Sequence, residues 1–195
     1  MALLLLDLDN TLVDRDAAFR AAVADFLAEH GLPDSDLTWA MDIDAGGYTA
    51  RDQGAAALAD RVVLAQSARE TLTKAQADGW TCVIVTNGRT VQQQARIRKT
   101  GLDRLVQGWV ISEAVGHKKP EPEIFQAAAD AVGVPFPGAW VIGDSPHADI
   151  AGANTLGLQS VWVTDGRTWI HDSCRPTRVA GDVASAINQA TTTPG

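Results

Sequence analysis

The chain is short of three things: positive charge, cysteine and long apolar runs. Against 24 Asp and Glu stand only 16 Lys and Arg, a formal net charge of -8. Binding to nucleic acid or to an anionic membrane needs clustered Lys and Arg to displace counterions, so both partner classes are disfavoured. A small phosphorylated substrate is not. Of the two cysteines, Cys82 lies inside an apolar run and Cys174 near the C-terminus. They lack metal-ligand spacing and read as free thiols of a reducing compartment. The apolar N-terminal run is only Ala2-Leu3-Leu4-Leu5-Leu6, without a basic flank and running into Asp7. It reads as neither a signal peptide nor a membrane span, and a cytoplasmic location is expected. There is no internal repeat and no low-complexity tract. What is present, 46% hydrophobic residues over 195 positions, is enough to bury a substantial core, as one domain plus a small insertion.

From about residue 66 onward, short apolar runs alternate with helix-like segments, the pattern of parallel strands joined by crossover helices. The runs 81–85, 109–111, 139–142 and 160–163 are apolar almost throughout, as strands covered on both faces should be. With 2–6 they make about five strands of a layered α/β core. Helices are expected near 67–77, 90–99, 123–132, 146–156 and 183–190, the first four stopped by Gly79, Gly101, Gly133 and Gly157. The stretch 14–65 breaks the alternation. It carries two Ala-rich helical segments, 16–29 and 51–64, and reads as a helical insertion. Between them, Asp42, Asp44 and Gly46 are spaced like part of a calcium loop, but the third acidic ligand and the closing Glu are missing.

Four short motifs follow the putative strands. Asp7-Leu8-Asp9-Asn10-Thr11 ends the first; residues two apart on a strand share a face, roughly 6 to 7 Å from each other. Two carboxylates delivered to the crevice at a strand end are a candidate nucleophile and acid, although the same residues would also serve simply to close a strand and turn the chain. Thr86-Asn87-Gly88 follows the second; its hydroxyl, backbone N–H groups and helix start suit an anion, or an ordinary turn. In Lys118-Lys119-Pro120-Glu121-Pro122 the prolines stiffen the backbone behind Lys119, which can neutralise a phosphoryl oxygen. Lys118 and His117 read as surface residues. Gly143-Asp144-Ser145-Pro146 puts Asp144 at a strand end, with Ser145 as helix N-cap and Asp149 in the first turn. Asp149 leans toward the crevice or merely complements the helix dipole. Hard oxygen ligands at Asp7 and Asp144 suit Mg²⁺.

With these four motifs in this order, the chain resembles the haloacid dehalogenase (HAD) superfamily of phosphohydrolases. The resemblance implies a Rossmann-like core over residues 1–13 and 66–195 and a small α-helical cap over 14–65. It implies Asp7 as the nucleophile that forms an aspartyl-phosphate and Asp9 as general acid and then base. Thr86, Asn87 and Lys119 would hold phosphate. Asp7, Asp144, Asp149 and the backbone carbonyl of Asp9 would hold Mg²⁺, Asp149 directly or through water. Asp9, its side chain off the metal and close to Asp7, is the carboxyl expected to carry a proton. True dehalogenases of the superfamily would carry another residue at position 9, because halide departure needs no proton.

The expected activity is therefore that of a Mg²⁺-dependent phosphomonoesterase on a small phosphorylated metabolite, with Trp39, Tyr48 and Arg51 as candidate specificity residues. The insertion is short beside fuller helical caps. A phosphomutase would share the aspartyl-phosphate but must hold a second phosphate, and the segment from Asp14 to Arg61 has ten acidic residues against four arginines. A catalytically idle binding or regulatory protein is the alternative of another class; intact Asp7, Asp9, Lys119 and Asp144 count against it. The sequence assigns neither a leaving group nor an oligomeric state.

Overall fold

The computed structural model describes residues 2–44 and 61–192. Strands β1 (Ala2–Leu6), β2 (Trp80–Thr86), β3 (Gly108–Ile111), β4 (Trp140–Gly143), β5 (Gln159–Val163) and β6 (Arg178–Ala180) form one parallel sheet. Its order is β3-β2-β1-β4-β5-β6. The first strand is therefore central, with β2 on one side and β4 on the other. That place, where the winding direction reverses, opens a crevice at the carboxyl ends of the strands.

Alternation along β1 explains the two-sided core. Leu4 and Leu6 join one cluster with Ala68 and Leu72 of α3 (Gln66–Ala77), Ile97 of α4 (Thr90–Lys99), and Ala186 and Ile187 of α8 (Val183–Thr191). Leu3 and Leu5 join the other with Ile124, Phe125 and Ala128 of α6 (Pro122–Val132). Successive side chains of a strand point to opposite faces, so a run of leucines needs helices on both. Two shorter helices, α5 (Ser112–Val115) and α7 (Ala151–Thr155), complete the layers. All four expected glycine stops have left-handed φ: 89° at Gly79, 73° at Gly101, 66° at Gly133 and 66° at Gly157.

Three expectations need correction. The sheet has six strands; β6 is an edge strand of three residues, too short for a periodicity to register. Between the two expected insertion helices, residues 35–44 form a further helix that the sequence reading did not place, α2 (Ser35–Asp44), which packs against α1 (Arg15–Glu29). Its Asp44 is buried in an ion pair with Arg15, whose Nη2 donates to Asp44 Oδ1 at 2.9 Å. Burying both charges is tolerable because each is the other's partner. The helix expected over 146–156 begins as one π-type turn, Pro146–Ile150, before α7. The chain leaves and rejoins the sheet side by side, through a bridge between Val13 and Leu64. Most of the second expected insertion helix, with Tyr48 and Arg51, lies outside the described residues.

Candidate active site

Each strand end around the crevice contributes one charged or polar side chain. Asp7 follows β1, its N–H still donating to Ile142 O at 2.9 Å and so continuing the ladder. Beyond it the chain turns sharply: Leu12 and Val13 N–H both donate to Leu8 O at 3.0 Å, and Asn10 adopts a left-handed φ of 59°. Asparagine tolerates that conformation better than most residues, and its Oδ1 accepts from Asp16 N–H at 3.0 Å.

Lys119 stands at the centre. It is 4% exposed, and its Nζ donates to Asp7 Oδ1 at 2.6 Å and Asp149 Oδ1 at 2.7 Å. Burial opposes its charge, but Asp149 and Asp7 outweigh burial and push its pKa up. The loop carrying Lys119 is tied to Asn87 by a reciprocal pair: Asn87 Nδ2 donates to Lys119 O at 3.0 Å and Lys119 N–H to Asn87 Oδ1 at 2.8 Å. The Asn87 side chain thus joins two site loops. Lys118 is exposed, and His117 lies on the surface with Nδ1 3.1 Å from Glu121 Oε2.

Asp149 reaches the crevice from the π-type turn, where Ser145 N–H donates to its Oδ2 at 3.0 Å. Gly143 makes room for it: a Cβ there would stand 2.2 Å from Asp149 Cγ. Asp144 accepts from Arg167 Nη2 at 3.1 Å and from Thr11 Oγ1 at 3.4 Å. Its carbonyl accepts from Trp162 Nε1 at 2.8 Å and again from Arg167 at 3.2 Å. Asp7, Asp144 and Asp149 are all buried, and they offer oxygens that lie within 4.8 Å of one another. Burial, the dominant cause, pushes the Asp7 pKa well up, Lys119 opposing it while Asp149 and Asp144 add to it. Burial likewise raises Asp144 to about 6, with repulsion from Asp149 behind it and Arg167 opposing. Three buried carboxylates carry more negative charge than Lys119 and the half-exposed Arg167 offset. Oxygen-only donors so crowded fit a hard divalent cation.

Asp9 does not join this cluster. Its Oδ2 accepts from Arg96 and, at 3.0 Å, from Gln93 Nε2. The side chain therefore sits on α4 rather than beside Asp7. Gln93 Nε2 also lies 2.7 Å from Thr86 Oγ1, the hydroxyl expected to hold phosphate. Trp39 is on α2, 67% exposed. Sequence reading missed Gln93, Arg96 and Arg167. For Gln93 there was a signal: it lies four residues before buried Ile97, so one helical face carries both a core residue and an amide.

Residues 25–157 match a family model described as haloacid dehalogenase-like hydrolase. That span takes in Thr86, Asn87, Lys119, Asp144 and Asp149, while Asp7 and Asp9 lie before it. A glyceraldehyde 3-phosphate phosphatase of Pyrococcus furiosus is 35% identical over 100 residues, which are 51% of this chain and 42% of that protein. A phosphoserine phosphatase of Thermus thermophilus is 34% identical over 106 residues, 54% of this chain and 43% of that protein. The matched stretch thus spans less than half the length of these curated relatives. The structure of a HAD-hydrolase from Bacillus subtilis bound to magnesium superimposes with a TM-score of 0.83 at 22% identity, covering 98% of this chain and 99% of that one. At that identity the likeness is one of fold.

Proposed function

The chain belongs to the family of haloacid dehalogenase-like hydrolases, and from that premise we propose that it is a Mg²⁺-dependent phosphomonoesterase acting on a small phosphorylated metabolite. The observation that carries this reading is the convergence of Asp7, Lys119, Asp144 and Asp149 at the sheet's switch point, with Asp7 and Asp149 both bonded to the Lys119 ammonium. Phosphatase names among the relatives support the phosphoester class. Helices α1 and α2 belong to a cap over 14–65 that covers a core of 1–13 and 66–195.

In the first step an Asp7 oxygen attacks phosphorus, the bond from phosphorus to the leaving-group oxygen breaks, and Asp9 gives that oxygen a proton. In the second, water attacks the aspartyl-phosphate, Asp9 takes the water's proton, and Asp7 is released with inorganic phosphate. Lys119 neutralises phosphoryl oxygens, and Thr86 and Asn87 orient them. Asp7, Asp144, Asp149 and the Asp9 carbonyl would hold Mg²⁺, which when bound supplies positive charge against the repulsion between carboxylate and phosphate.

A buried, reduced Cys82 and Cys174 agree with a cytoplasmic setting. Among the described residues no helix is long and apolar enough to cross a membrane. The test is release of inorganic phosphate from p-nitrophenyl phosphate and from a panel of phosphorylated metabolites, in EDTA and in Mg²⁺. Release that needs Mg²⁺ supports the reading; full-rate turnover in EDTA, or none with any substrate, overturns it.

A further inference from the structure

Asp7 and Asp9 leave one strand two residues apart, yet only Asp7 enters the carboxylate cluster. What separates them is α4. Gln93 and Arg96 are three residues apart on one face of that helix, and both reach Asp9 Oδ2. Both are buried, at 1% and 5% exposure. Arg96 Nη1 also donates to Gln93 Oε1 at 2.9 Å, which fixes which end of the amide faces Asp9. The turn after β2 is shaped around this arrangement: at Gly88, with φ 149°, a Cβ would stand 3.0 Å from Gln93 Nε2. A buried guanidinium is expensive to keep unless it is paired, and among the described residues Asp9 is the acid that Arg96 pairs with. For stability alone an apolar side chain would serve as well.

We propose that Gln93 and Arg96 are positioning residues that hold the Asp9 side chain away from the metal-binding carboxylates, reserving it for proton transfer. The proposal rests on the phosphatase reading for the proton-transfer role, but its metal arm does not need turnover. Without the clamp, Asp9 is a further oxygen donor beside an oxygen-only site. Divalent cations gain affinity from added carboxylates, so loosening the clamp strengthens metal binding while weakening catalysis. A merely structural role for Arg96 gives no such opposition.

The experiment measures Mg²⁺ affinity by calorimetry in the metal-stripped wild type, Arg96→Met, Arg96→Lys, Gln93→Leu, Asp9→Asn and the double variant Asp9→Asn/Arg96→Met. Turnover at saturating Mg²⁺ is followed on an alkyl phosphate and on p-nitrophenyl phosphate. Arg96→Met should bind Mg²⁺ about threefold or more tightly and lose about tenfold or more in turnover on the alkyl phosphate, but less on the activated ester. Arg96→Lys should restore part of both. The gain in affinity should be larger with Asp9 present than in the Asp9→Asn background, which separates recruitment of Asp9 from the lost field of a cation. Gln93→Leu alters no charge, and should shift affinity the same way by a smaller factor; it also stands in if Arg96→Met does not fold. Equal gains in both backgrounds, or unchanged or weaker binding in both clamp variants, overturn the proposal. A wild type that binds Mg²⁺ but releases no phosphate overturns the phosphatase reading and the proton-transfer role, while the affinity comparison still decides whether the clamp holds Asp9 off the metal.

Discussion

Lys119 is held between two carboxylates, so the charge of Asp7 is shared before any substrate arrives. An amide at position 7 still accepts the Lys119 hydrogen bond but cannot attack phosphorus. Asp7→Asn is therefore expected to fold, to melt within a few degrees of wild type, and to give no acid-stable phosphoenzyme in intact-protein mass spectra. A normal phosphoenzyme in that variant excludes Asp7 as nucleophile. The acidic cluster also sets a pH dependence. Asp7 and Asp144 have pKa values raised in the folded chain, Asp144 to about 6. A raised carboxyl stabilises the fold fully below its unfolded value near 4; that contribution is lost as pH rises through about 6 for Asp144 and through its own raised value for Asp7. The metal-stripped protein should accordingly gain from these groups as pH falls from 7.5 to 5. Mg²⁺ needs them ionised, so the increase in Tm on adding it should be large at pH 7.5 and shrink toward pH 5. Differential scanning measurements with EDTA and with Mg²⁺ check this, and a Tm increment independent of pH contradicts it.

At the level of elements, the strand ends that line the crevice were legible because parallel strands buried on both faces are short and apolar, so a polar residue closing one stands out. Asp7, Thr86 and Asp144 share that signature, and β1 and α4 have the bounds that the sequence suggested. The misses have a common cause in non-local contacts. Leu37, Trp39, Met41 and Ile43 repeat at every second position, which hides a helix; α2 forms with its last residue anchored to Arg15, 29 positions away. The same holds for the Asp9 clamp, whose partners are 84 and 87 residues distant. The π-type turn was invisible because its signal is steric: Asp149 can lie against the strand only where position 143 has no side chain. Gly143→Ala should displace Asp149, destabilise the fold by about 1–3 kcal/mol, and weaken Mg²⁺ binding tenfold or more. Unchanged Mg²⁺ affinity in a folded Gly143→Ala would mean that Asp149 takes no part in the metal site.

At the scale of the whole molecule, the central position of β1 bears on how the chain reaches its fold. Its two sheet neighbours begin at Trp80 and Trp140, so Leu3 to Leu6 have neither edge paired until β2 has been made and keep one edge open until β4 follows. Long-range parallel pairing is slow, because the loops must close before any contact rewards them, and meanwhile an apolar strand with open edges is sticky. Refolding from denaturant should therefore be slower than for helical chains of this length and its yield should fall with protein concentration. Exchanging Leu4 for Lys, though it ruins the finished core, should reduce aggregation of fragments that stop before β4. If such fragments stay soluble regardless of residue 4, the waiting strand is not the hazard. On this topology the ribosome makes Asp7 well before Lys119, Asp144 and Asp149, the side chains that surround it.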